Sequence, residues 1–203
     1  MALRDEMPQV SAGSMADIAF LLLIFFLVTT SIETDSGMNR LLPPIDTIST
    51  MDVKKKNILA ITVNDKGELL IDDDIVALSD LKLLAIEFLD NGGAISSDDF
   101  YCSYCKGKRD AKSSDSPLKA IISLITSRDA VYEDYISIQN ELLLAYGELR
   151  SREANRLYNV DYSSLEAMYN APDVTSAEKE KAKKKIKAIQ NMFPLNLSEA
   201  NRN

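Results

Sequence analysis

Asp17 is the only ionisable residue in the stretch MADIAFLLLIFFLVTTSI, from Met15 to Ile32 of a 203-residue chain. A charged group in a membrane span is costly, so it is usually paired, turned into a protein interior, or functional. No basic residue lies in the stretch to pair with it. A lone acid of this kind can take up and release a proton, and one charge moved down a membrane potential releases about 2.3 kcal/mol per 100 mV. One reading is therefore a proton carrier working inside a partner's membrane ring. The other is a helix cap or interfacial acid, with Ser14 as its capping neighbour.

The second chemical candidate is Cys102-Ser103-Tyr104-Cys105. A CxxC pair can be a redox site, half of a zinc site or a local disulfide. Zinc needs about four ligands, and the chain holds no other cysteine and no histidine. Thioredoxin-like chemistry expects a βαβ context, which the sequence around this pair lacks. In an oxidising compartment a structural disulfide between Cys102 and Cys105 is the favoured reading.

Composition removes other classes. Without histidine there is no Ser/His/Asp or Cys/His triad and no HExxH zinc site. The 23 Lys+Arg against 31 Asp+Glu give a net charge of −8, which argues against duplex nucleic acid. With 7 glycines and no phosphate-cradling loop, no nucleotide site is indicated. The chain reads as non-enzymatic and free of cofactor or metal.

These residues need elements to hold them. Counted from Ala12 to Ile32, the apolar run is about 31 Å of helix, enough to cross a bilayer core. A cleaved signal peptide would want a positive n-region, and Arg4 is offset by Asp5 and Glu6. A buried core helix would not need to be apolar on every side, as Ile18 to Val28 is. A retained single-span anchor is the expectation. Arg4 and Arg40 nearly balance across it. Orientation rests instead on the short tail before the span and the long part after it. The short tail is placed in the cytoplasm and the long part exported.

The run MADIAFLLLIFFLVTT, with the acidic tail ALRDEMPQVS ahead of it, resembles the transmembrane signature of the ExbD/TolR family. That family supplies the proton-carrying subunit of bacterial inner-membrane motors. The resemblance places the family aspartate on Asp17. It implies a dimer, two copies within a pentameric ExbB-like ring, coupled to a TonB-like periplasm-spanning protein that opens outer-membrane transporters. A TolR-like subunit maintaining envelope integrity has the same mechanism and a different output. Contact with peptidoglycan stays open. A membrane-tethered periplasmic binding module, with Asp17 merely structural, is the reading of another class.

The expected organisation is a cytoplasmic tail (1–11), a transmembrane helix (12–32), a periplasmic linker (33–56) and a small periplasmic α+β domain (57–203). The linker holds Asn39 to Pro44, NRLLPP, and the run Lys54-Lys55-Lys56, which reads as a solvated stretch. Ile58 to Val63 and Glu68 to Ile71 read as strands of a hairpin around Asn64-Asp65-Lys66-Gly67. Ser79 sits where a helix cap would, before Leu81, Leu84, Ala85, Phe88 and Leu89 at helical spacing, and Asn91-Gly92-Gly93 ends the run. Ile95 to Pro117 reads as a surface insertion. Ala120 to Thr126 is a third strand, followed by a long helix to about Tyr158. Residues 161–171 are ambiguous. Thr175 to Glu178 forms a capping box for a last helix to about Asn191, whose lysines 179–187 read as a solvated face. Met192 to Ser198 reads as a terminal edge strand, because it contains Pro194. The expected order is strand-strand-helix-strand-helix, with extra helices and a last strand. The family's periplasmic domain also begins strand, strand, helix and closes with a strand, while the 95–117 insertion and the 150–190 helical region enlarge this domain beyond the compact family core.

Overall fold

The structure, a computed structural model, describes residues 11–29, 53–64, 66–71, 74–127 and 131–201. The chain divides into two compact units, Met1–Arg40 and Leu41–Asn203. In the first, Ala12–Thr29 forms helix α1. Its eighteen residues make about 27 Å of helix, close to a bilayer core. Near its end the Thr29 hydroxyl donates to the Phe25 carbonyl at 2.7 Å, so this polar side chain is satisfied within the helix itself. Residues 1–10 of the expected cytoplasmic tail, residues 30–32 of the expected span and most of the expected linker lie outside the described residues.

The second unit is a five-stranded sheet in the order β3-β2-β1-β4-β5. Strand β1 (Ile58–Val63) pairs antiparallel with β2 (Leu69–Ile71), the expected hairpin. Gly67, at φ 77, lies in its turn, where a left-handed backbone suits glycine. The sequence reading passed over β3 (Asp74–Val76), which extends the meander antiparallel to β2. At three residues it is too short to carry a periodic signal.

Helix α2 (Leu78–Leu89) crosses to β4 (Ile121–Thr126), which lies parallel to β1. The expected cap is corrected here: Ala77 holds the N-cap position with an extended backbone, and no side chain caps the helix. Ser79 lies inside the first turn, one residue after the helix begins. Helix α3 (Tyr132–Tyr158) ends on Asn159 in the left-handed conformation, φ 53, a backbone Asn tolerates better than most residues. The ambiguous stretch is a helix, α4 (Tyr162–Asn170). Helix α5 (Ser176–Met192) carries the expected capping box, with Thr175 and Glu178 bonded reciprocally.

The last strand is displaced from its expected place. Strand β5 is Leu197–Asn201, parallel to β4 at the sheet edge. Phe193 cannot be a strand residue at an exposed edge because it is fully buried in the core. Pro194 to Asn196 turn the chain instead, with the Asn196 amide donating to the Pro194 carbonyl at 3.0 Å.

One face of the sheet carries the core. Leu59, Ile61, Val63, Leu69, Ile122 and Leu124 pack against α2 and α3 through residues such as Leu81, Leu89, Leu142 and Tyr146. A smaller cluster of Ala154, Tyr162, Leu165, Ile186 and Ile189 joins the end of α3 to α4 and α5. α5 therefore rests on one apolar side, and the lysines 181, 183, 184 and 187 on its other side are exposed, as expected of a solvated face.

Candidate functional site in the membrane helix and the anchored loop

Asp17 lies in the second turn of α1, beyond the first turn, which holds no acid. It does not occupy the cap position, and Ser14 is itself a helical residue. Gly13 and Ser14 precede Asp17 by four and three residues, and Phe20 and Leu21 follow it by three and four. At helical spacing these share its face. A carboxyl here projects sideways from an apolar helix, flanked by small side chains on one side and bulky ones on the other. A β-carbon added at Gly13 would meet only the Ser11 hydroxyl, at 3.6 Å. The arrangement can present one protonatable group to whatever packs against this helix.

Cys102 and Cys105 are joined in a disulfide with Cα atoms 5.5 Å apart, and they are only 2% and 6% exposed. Arg109 donates to the carbonyls of Cys102 and Cys105 at 3.1 and 3.3 Å. Gly92, at φ 64, lets this knot seat against the end of α2, since a β-carbon there would fall 2.7 Å from that of Cys105. No cluster that could hold a metal occurs among the described residues.

The insertion at 95–117 is bound to the domain much more firmly than a surface loop need be. Asn91, just after α2, donates to the carbonyls of Asp110 and Ser114 at 2.9 and 2.7 Å and accepts from the Asp110 amide at 2.9 Å. The Ser114 hydroxyl donates to the Phe88 carbonyl. The Tyr104 hydroxyl donates to the Met192 carbonyl at 2.8 Å, and its ring meets Phe193 edge-on at 5.4 Å. Burial, with the nearby carboxylates of Glu153 and Asp90, pushes the Tyr104 phenol up to about 12, so it keeps its proton and remains a donor.

Three buried charges complete the region. Asp90, at the end of α2, receives both terminal nitrogens of Arg152 from α3 at 2.6 and 2.7 Å. Glu153 is fully buried and bonded by Arg152 and Arg156. Asp115 is bonded by Lys56 at 2.6 Å and by the Asn57 amide at 3.1 Å, with Lys54 at 3.7 Å. The lysine run is thus corrected: two of its three residues neutralise a buried carboxylate in the insertion. Sequence reasoning missed Asp115, Asp90 and Arg152. Nothing local distinguishes them from surface charges.

An apolar helix long enough to cross a membrane, with one acid inside it, together with a mixed-sheet domain, defines the class: a folded α+β domain carried on a single N-terminal apolar helix. The sequence model described as Biopolymer transport protein ExbD/TolR matches residues 4–147, and the chain belongs to that family. It is a transport family. The matched residues take in α1, the sheet up to β4, the insertion and the first part of α3, while α4, α5 and β5 lie beyond them. No curated protein matches the chain.

Proposed function

We propose that the chain is the ExbD-type subunit of a motor driven by the proton-motive force in the bacterial inner membrane. Its N-terminus is cytoplasmic and its folded domain periplasmic. Two copies sit in a pentameric ExbB-like ring, and proton passage through the ring is coupled to a TonB-like protein that energises outer-membrane transport. Asp17 carries the proton. The observation that carries this reading is the position of Asp17, the one ionisable residue of α1, inside the helix and away from its cap. Membership of the ExbD/TolR family supports it.

The test is Asp17→Asn, which keeps shape and hydrogen-bonding capacity and removes the titration. Uptake through an outer-membrane transporter should fall to background, while the ring partner and the second copy still co-purify. Wild-type uptake would overturn the proton role. Loss of uptake together with loss of assembly would assign Asp17 to packing instead. Asp17→Glu should retain partial uptake at best, because the carboxyl moves by about one methylene in a close-packed interface.

A further inference from the structure

The sheet has a second face that no described element covers. In β1, and in β4 from Ile121 to Ile125, the residues alternate between half-buried and buried, and this half-buried set points away from α2 and α3. The strand registers place Ile58 beside Ile121, Thr62 beside Ile125 and Leu70, and Leu70 beside Ile75. These six residues therefore form one surface. None of them joins either core cluster, and Ile75 is 69% exposed. Between them lie Ala60 and Ser123, also paired. No charged residue stands on this face in β1, β2, β3 or β4.

That composition is wrong for a face in water. An antiparallel sheet with one wet face alternates apolar with polar, whereas parallel strands are almost always covered on both faces and read as continuous apolar runs. Strands β1 (ILAITV) and β4 (IISLIT) are parallel neighbours and read as such runs. This parallel pair therefore has the composition of covered strands.

We propose that the covering element is the same face of a second copy, the two sheets packing front to front about a two-fold axis. The argument is electrostatic. The chain carries a net charge of −8, so two copies repel one another overall, and a contact through charged surface would add the cost of desolvating those charges. The open sheet face is uncharged and meets its own copy without that cost. Such an isologous contact needs only self-complementarity, and sheet-on-sheet packing at about 10 Å supplies the geometry.

The area sets the strength. Strands of six, three, three, six and five residues, rising about 3.3 Å per residue and spaced about 4.8 Å apart, give roughly 360 Å² per copy, less than half the ~800 Å² of a standard interface. The contact is weak between free domains, and it forms when two copies share one membrane assembly, where tethering raises their effective concentration. The proposal deepens the paired-subunit reading and rests on it for the second copy.

The test uses the full chain in its own membranes. Thr62→Cys puts a thiol at the centre of the face with little change of volume, and the disulfide keeps Cys102 and Cys105 out of the reaction. A short bis-maleimide should capture a large share of the chain as an adduct of twice its mass. Adding Ile125→Lys, or Leu70→Lys if the first variant does not accumulate, should lower that adduct at least fivefold. Lys183→Cys, on the exposed side of α5, should give none. Absence of the double-mass adduct would overturn the proposal. So would an adduct with a different protein, or one indifferent to the introduced lysine. Asp17→Asn uptake reads the motor independently, so either result can fail alone.

Discussion

The guanidinium of Arg152 grips both carboxylate oxygens of Asp90, at 2.6 and 2.7 Å, where the C-terminal end of α2 meets the flank of α3. A carboxylate at a helix C-terminus is unfavourable beside the carbonyl end of the dipole. Asp90 is also only 5% exposed. Arg152 offsets both costs, and it donates to Glu153 as well. One side chain therefore serves two buried acids.

Replacing Arg152 leaves those acids short of a partner. Arg152→Met should destabilise the domain by about 3 kcal/mol, the order expected when one member of a buried pair is removed. Arg152→Lys should recover only part of this, since an ammonium cannot make the two-pronged contact. Urea unfolding followed by circular dichroism would measure both. A change under about 0.5 kcal/mol for Arg152→Met, the size of a surface substitution, would show the pair to be decorative.

The same experiment presupposes that the domain stands alone. A fragment of residues 53–203 should be soluble, with mixed helix and strand, because both apolar clusters lie within it. It should unfold cooperatively. A disordered circular dichroism spectrum would refute the assigned boundary.

Asp115 gives a pH dependence. Burial alone would raise its pKa, but hydrogen bonds from Lys56 and Asn57, with the charges of Lys56 and Lys54, hold it below the ordinary carboxylate value. A depressed folded pKa contributes stability that is present above the unfolded value and lost as pH falls through the folded one. Asp115→Asn should therefore cost about 1–2 kcal/mol at neutral pH. The gap to wild type should close as pH falls below the usual carboxylate range. Thermal melts of both proteins from neutral to acid pH would check this. A gap independent of pH would mean that packing alone, without the charge, accounts for the effect.

The cysteines should be dispensable for transport. Cross-linking a four-residue loop stabilises by about 2 kcal/mol in the chain-entropy model, at the low end for disulfides. Because both side chains are buried, the replacement matters: two serines bury hydroxyls, while two alanines do not. The Cys102→Ala/Cys105→Ala protein should retain normal uptake and be more stable than the double serine variant. Lost uptake at normal protein levels would reveal a redox or shared-metal role.

Sequence alone determined the features that depend on neighbours in the chain. The apolar run fixed α1 and the isolation of Asp17 within it, since helix formation and membrane compatibility are local sums over residues. Alternation and a turn fixed the β1–β2 hairpin, and Thr175 with Glu178 fixed the start of α5 three residues apart. Tertiary structure decided what distant residues share. Lys56 and Asn57 meet Asp115 about sixty positions on, and Arg152 finds Asp90 at a separation of 62. No periodicity encodes such pairs, because the partner is chosen by how helices land on the sheet. Strand β5 was misplaced for the same reason: burying Phe193 outweighed its local strand propensity, so the pairing began at Leu197. The uncovered sheet face is likewise a tertiary fact. The apolar runs of β1 and β4 are plain in sequence, but only the placement of α2 and α3 on one side leaves the other side open.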